Sequence, residues 1–199
     1  MNGTGTTATT AAFSTAQAGE TILAFASADG PTAAGAQTVT VSGAGLTWTL
    51  VRRSNTQFGT AEVWSATAAA KLTGVTVSAT ESAGGFHQML TVVAVQATSG
   101  IGAVQAASAA SGAPTASLTT TRAGSLVFAV GNDWDDALAR TLGAGQGIVS
   151  QWVDTSVGDT FWTQRLTAPT GAAGSVVTIG DSAPTSDRWN FTAVEIKGL

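Results

Sequence analysis

The segment GNDWDDALAR, residues 131–140, concentrates three carboxylates, a tryptophan and an arginine in a chain of which only 10% of residues are charged. Aspartate and arginine side chains form planar, charge-assisted hydrogen bonds, and a tryptophan face offers a surface for stacking. This combination suits a sugar, whose hydroxyls bond to the charged groups while its C–H face covers the indole. The segment is therefore a candidate carbohydrate-binding loop.

Two further stretches of the second half of the chain carry residues of the same kinds, at Asp159 and in the sequence SDRW, residues 186–189. The candidate ligand-binding residues are Asp133, Trp134, Asp135, Arg140, Asp159, Asp187, Arg188 and Trp189. An alternative interpretation is structural. In that case Arg140 and Arg188 pair with nearby aspartates and only satisfy long loops.

Calcium is a second hypothesis for the acidic cluster, because Asp133, Asp135 and Asp136 supply hard oxygen ligands at close spacing. The segment lacks the glycine and the glutamate that an EF-hand places at the sixth and twelfth loop positions. Calcium is the one cofactor that the sequence suggests.

Catalytic signatures are scarce, and the sequence predicts a protein that is not an enzyme. No G-x-S-x-G motif occurs, and His87 is the sole histidine, so a serine triad and the common zinc sites lack their residues. Two aspartates could still act as the acid and base of a glycosidase, for example Asp133 with Asp187. A glycosidase needs such a pair roughly 5–9.5 Å apart in an open cleft.

Charge and composition restrict the partners. The net charge is -4, with eight scattered lysines and arginines and no cysteine, so neither nucleic acid nor membrane insertion is expected. The first residues, MNGTGTTATTAAF, have neither the basic nor the apolar part of an export signal. Richness in Thr, Ser and Gly favours an extracellular, cell-surface or virion-associated protein.

An internal duplication organises the chain. AAFSTAQAGETILAF, residues 11–25, matches ASLTTTRAGSLVFAV, residues 116–130, and LTVVAV, residues 90–95, matches FTAVEI, residues 191–196. A third match aligns Trp64 with Trp162, and the sequence offset between the matched segments is about one hundred residues throughout.

Each half contains a series of short apolar or alternating segments separated by Gly, Pro, Asn and Asp, which predicts strands without helices. The predicted fold is all-β, an antiparallel, jelly-roll-like β-sandwich with a pseudo-two-fold repeat. We expect one domain over 1–199, built from halves at about 11–98 and 116–197 joined by 99–115. Within the join, AVQAAS has the pattern of a strand. Two separate immunoglobulin-like domains are the alternative.

The chain also resembles a two-half β-sandwich module of bacterial secreted multidomain proteins and phage tail-associated proteins. The residues that carry the resemblance are AGETILAF, LTWTLVRRSN, APTASLTTTRAGSLVFAVGNDWD, GDTFWTQ and APTSDRWNFTAVEI. The resemblance implies an accessory or adhesive domain, and it implies no catalytic residues.

The halves differ in charge, since eight of the twelve acidic residues lie from Asp133 onward. Features present in one half only are candidates for function, which favours a non-catalytic extracellular module that binds a glycan or cell-surface polymer. This binding hypothesis predicts that Trp134 or Trp189 is exposed beside charged neighbours. The alternative function is a structural spacer or self-associating subunit of a surface fibre or phage tail appendage, with buried tryptophans and internally paired charges.

Overall fold

The computed structural model describes residues 1–199, which form sixteen β-strands. The strands of the first half are β1 (Asn2–Gly3), β2 (Thr7–Thr9), β3 (Glu20–Ala28), β4 (Val39–Gly43), β5 (Thr49–Ser54), β6 (Thr60–Ala68), β7 (Val77–Glu81) and β8 (Gln88–Val95). The strands of the second half are β9 (Thr98–Ala109), β10 (Thr115–Thr119), β11 (Leu126–Asp133), β12 (Thr141–Leu142), β13 (Gln146–Asp154), β14 (Asp159–Leu166), β15 (Val176–Ala183) and β16 (Trp189–Gly198). The structure has no helix that could span a membrane.

The two halves have the same topology. In the first half, a five-stranded sheet has the order β1-β8-β3-β6-β5 and a three-stranded sheet the order β2-β7-β4. Adding eight to each strand number gives the sheets of the second half, β9-β16-β11-β14-β13 and β10-β15-β12. The all-β sandwich built from two repeated halves is therefore confirmed, and each half is an eight-stranded, jelly-roll-like sandwich of two sheets.

Three apolar clusters hold the four sheets together. One lies inside the first half and includes Val41 and Leu90, and a second lies inside the second half and includes Trp162 and Phe191. The third lies between the two five-stranded sheets and contains residues of both halves. In this third core the rings of Phe25 and Phe128 stack with centroids 5.7 Å apart.

The central strands show why their sequences are continuously apolar. Every residue of β3 is buried, because one face of the strand packs inside its own half and the other packs in the third core. In contrast β2, in an outer sheet, buries only its middle residue, Ala8. Continuous and alternating patterns thus separate central from outer strands.

The join between the halves is itself a strand. Its segment AVQAAS, residues 103–108, lies in β9, which pairs with β16 at the edge of the second five-stranded sheet. The repeated segment that begins at residue 11 contributes only an isolated bridge between Phe13 and Val75, and the strand in this part of the chain is β2.

The alignment of Trp64 with Trp162 is wrong. Strand pairing places Glu62 opposite Ala26 in the first half and Trp162 opposite Gly131 in the second half. Trp162 is therefore the counterpart of Glu62. Matching the two tryptophans placed the halves two residues out of register in this strand. The second half also has one extra residue, Asp159, between Gly158 and Thr160, the counterpart of Thr60.

Candidate functional site

The candidate residues converge at one end of the molecule, which we call the loop end. At this end β3 and β11 finish, and β6, β8, β14 and β16 begin. Antiparallel pairing sets Asp133, the last residue of β11, opposite Thr160 on one side and Trp189 on the other. The three charged stretches of the second half are thus neighbours in space although they are far apart in sequence.

Part of the candidate set forms a buried ion cluster around Arg140. Its Nη2 donates to Oδ2 of Asp133 at 2.6 Å and lies 3.8 Å from Oδ2 of Asp187. The guanidinium lies over the ring of Trp162, 4.7 Å from the centroid. The side chains of Arg140 and Asp133 are 0% exposed, and Trp189 is 6% exposed. The candidate residues Asp133, Arg140, Asp187 and Trp189 are thus buried in the interior of the second half.

Burial controls the ionisation of this cluster. Burial raises the pKa of Asp133 to about 7, although the charge of Arg140 and backbone N–H groups oppose the rise. Burial also raises the pKa of Asp181 to about 7, again against the charge of Arg140. The pKa of Arg140 itself is lowered by burial, despite the carboxylates around it. The cluster thus joins two strands and a long loop around one guanidinium.

Three candidates reach the surface instead. Arg188 donates from Nε to Oδ1 of Asp135 at 2.6 Å and from its backbone N–H to Oδ2 at 2.9 Å. Both side chains are 28% exposed. The Arg188 guanidinium lies 4.1 Å from the ring centroid of Phe58 and 5.4 Å from that of Trp134. We call Phe58, Trp134, Asp135 and Arg188 the loop-end patch.

Phe58 comes from the first half and is not among the residues that the charge pattern of the sequence singled out. Its ring meets that of Trp134 edge to face at 5.0 Å, and the Trp134 indole N–H donates to the carbonyl of Gly30 at 3.3 Å. The patch therefore spans both halves. The duplication contained a signal for this residue. Phe58 precedes Gly59, and Gly59 is the counterpart of Gly158, which precedes the candidate residue Asp159. Residues next to the two equivalent glycines are candidates for the same end of the molecule.

The three aspartates proposed for calcium point to different partners. Oδ1 of Asp133 accepts the backbone N–H groups of Asp135 and Asp136 at 2.9 and 3.3 Å, and its Oδ2 faces Arg140. Asp135 pairs with Arg188, whereas Asp136 is exposed. No group of three acidic, histidine or cysteine side chains is arranged to hold a metal ion in the structure.

Asp159 is buried where the two five-stranded sheets meet at the loop end, next to Asp29, whose carboxyl also lies within hydrogen-bonding reach of the Trp134 side chain. We call this contact between the two sheets the seam. Here Nδ1 of His87 is 2.5 Å from Oδ2 of Asp154, and the imidazole stacks on Trp152 at 5.5 Å. Burial alone would raise the pKa of Asp154, but hydrogen bonds from Ser156 and His87 outweigh burial and lower it. The seam is therefore polar and links the halves directly.

The opposite end of the molecule contains a cleft of about 730 Å³. Hydroxyls such as Thr21, Thr49 and Thr67 line it together with Leu46 and Ile101. The lining includes no charged or aromatic side chain. The residues with the chemistry for ligand recognition are thus concentrated at the loop end.

Comparison of the chain with family models, curated proteins and solved structures finds no match. The resemblance to an accessory module of secreted and phage tail-associated proteins accordingly stays a prediction.

Proposed function

We propose that the chain is a non-catalytic binding module that holds a carbohydrate at the loop-end patch. One observation carries the proposal: among the candidate residues, Trp134, Asp135 and Arg188 combine an aromatic surface with accessible carboxylate and guanidinium groups. Sugars are recognised by this pairing of stacking with planar hydrogen bonds. The proposal places the module outside the cell or on a virion, bound to a glycan or another cell-surface polymer.

The patch has hydrogen-bonding capacity to spare. Arg188 uses Nε and its backbone N–H on Asp135, and neither terminal guanidinium nitrogen bonds another side chain. A carboxylate accepts up to about four hydrogen bonds, so Asp135 also retains acceptor positions. The ion pair and the contact with Phe58 hold these groups in place before a ligand arrives, which reduces the entropy lost on binding.

The test is a glycan array followed by calorimetric titration with any sugar that binds. Trp134→Ala should weaken binding about tenfold or more, a loss of roughly 1.4 kcal/mol, because stacking surface disappears. Leu138→Ala is the matched control, since Leu138 is 47% exposed in the same loop but lies outside the patch. Equal affinities for both variants, or an array without binding, would contradict the proposal.

A structural, self-associating subunit is the second candidate, and the edge strand β13 favours it. This strand has nine residues and a free edge, and its Ile148 and Val149 are 42% and 38% exposed. Exposed apolar edges pair readily with another chain. Sedimentation at increasing concentration tests this candidate, and Ile148→Lys should abolish any association that uses the edge.

A further inference from the structure

Two carboxyl groups face each other across the seam. Asp29 follows the last residue of β3 in the first half, and Asp159 is the first residue of β14 in the second half. Their carboxyls lie within hydrogen-bonding reach of each other. Asp159 is 2% exposed, and no N–H or O–H group of the chain reaches its Oδ2. The carboxyl of Asp29 is therefore the main polar neighbour of Asp159.

Two ionised carboxylates do not remain in such contact without a cation, because both repulsion and lost hydration oppose it. The ionisable groups that face Asp29 are Asp159, Glu81 and His87. Besides Asp29, Asp133 and Asp154 face Asp159. No lysine or arginine is among them, Nδ1 of His87 is directed to Asp154, and the Trp134 side chain that bonds Asp29 is uncharged. A single proton held between the two carboxyls satisfies the arrangement.

We propose that Asp29 and Asp159 share one proton, and that the resulting hydrogen bond ties the two halves together at the loop end until rising pH removes it. This proposal is independent of the ligand proposed for the patch. It gives the seam two cross-links of different chemistry, because the contact between His87 and Asp154 also crosses from one half to the other.

The ionisation of the pair agrees with this geometry. Burial, followed by the charge of Asp29, raises the pKa of Asp159 to about 9, and burial also raises the pKa of Asp29. An acid whose pKa is higher in the folded than in the unfolded chain adds stability that is complete below the unfolded value, about 4. That stability falls as pH rises and is lost once the folded pKa is passed.

The experiment measures thermal unfolding of the full chain between pH 5 and pH 10, with a chelator present so that no cation replaces the proton. Asp159→Asn keeps a hydrogen bond to Asp29, since an amide N–H donates to the carboxylate at every pH. Asp136→Asn is the control, because it removes an exposed carboxyl of the same loop end.

We expect the melting temperature of the wild type and of Asp136→Asn to fall with rising pH by several degrees more than that of Asp159→Asn. Parallel profiles for all three proteins would overturn the proposal. Glu81, Asp133 and Asp181 remain in every variant, so the pH dependence that their raised pKa values produce is present in all three profiles, and the comparison isolates the change at Asp159.

A second measurement needs no variant. In wild-type protein labelled with ¹³C at the aspartate carboxyl carbons, one signal should retain the chemical shift of a protonated or proton-sharing carboxyl at pH 8. At this pH Asp133 and Asp181, whose pKa values burial raises to about 7, are mostly ionised. Carboxylate shifts for all aspartates at pH 8 would overturn the proposal even if Asp159→Asn did not fold.

Discussion

The two halves solve the same packing problem with different chemistry at equivalent positions. In the first half, buried Glu62 accepts hydrogen bonds from the backbone of Val39 at 2.8 Å, from Nε of Arg53 at 2.7 Å and from the indole of Trp64 at 2.9 Å. In the second half, Trp162 occupies this place and donates to Gln164 at 2.7 Å. Both strands thus pair an indole N–H with an acceptor two residues away, but in opposite order.

This difference shows that the excess of charged residues in the second half has two parts, one buried in its interior and one at its surface. Where the first half neutralises Glu62 with Arg53, the second half places Arg140 over the ring of Trp162 and surrounds it with aspartates. Much of the charge that appears only in the second half therefore belongs to its interior. The surface share, to which Asp135, Asp136 and Arg188 belong, is smaller than the sequence suggests.

The largest expected effect comes from breaking the arginine cluster of the second half. Arg140→Leu removes the cation beside buried Asp133 and Asp187, and we expect a loss of about 3–5 kcal/mol in the free energy of unfolding at pH 8. Urea denaturation measures it. At pH 5 the loss should shrink, because Asp133, whose pKa burial raises to about 7, is then protonated. A loss below about 1 kcal/mol at pH 8 would show that the cluster is not the interior support of this half.

A smaller effect sharpens the comparison of Glu62 with Trp162. A Cβ on Gly131 would lie 2.1 Å from the ring of Trp162, whereas its counterpart Ala26 faces Glu62 and fits. Gly131→Ala should cost about 1–3 kcal/mol through overpacking, and more than the reverse change, Ala26→Gly. The penalty should nearly vanish in a Trp162→Leu background. If it persists there, the clash is not with the indole.

The smallest effect belongs to the surface. Arg188→Ala removes an ion pair whose members are each 28% exposed, and solvent screens such pairs, so the expected loss of unfolding free energy is about 1 kcal/mol or less. Urea denaturation in parallel with Arg140→Leu provides the contrast. Two losses of similar size would mean that the buried and exposed arginines have equivalent structural roles.

The sequence was sufficient for the all-β class and for the two equivalent halves, because strand signals are local patterns and the repeat is visible when the chain is aligned with itself. Apolar segments such as TILAFA predict central strands, and the match of 11–25 with 116–130 predicts two equivalent halves. The packing of one half on the other depends on which face of each central strand, such as the face that carries Leu23 or Phe128, turns toward the other half. In a continuously apolar strand both faces are apolar, so the sequence does not show which face this is.

The site was less predictable, because its chemistry depends on burial and strand register. Composition singled out Asp133, Arg140 and Arg188 as a charged group, but whether each side chain points inward depends on its pairing partners. Matching Trp162 with Trp64 by residue type placed it two positions out of register, and its contact with Arg140 depends on burial that the sequence does not display. Phe58 was missed because only residues unique to the second half were considered.

The third core makes each half depend on the other. A single half would expose the apolar face that holds Leu23, Phe25 and Val63, and a face of this kind in water is covered by a partner surface. The contact between the halves therefore has the character of a homodimer interface contained within one chain. The opposed indole pairs and the arginine cluster of the second half are departures from the two-fold symmetry of that interface.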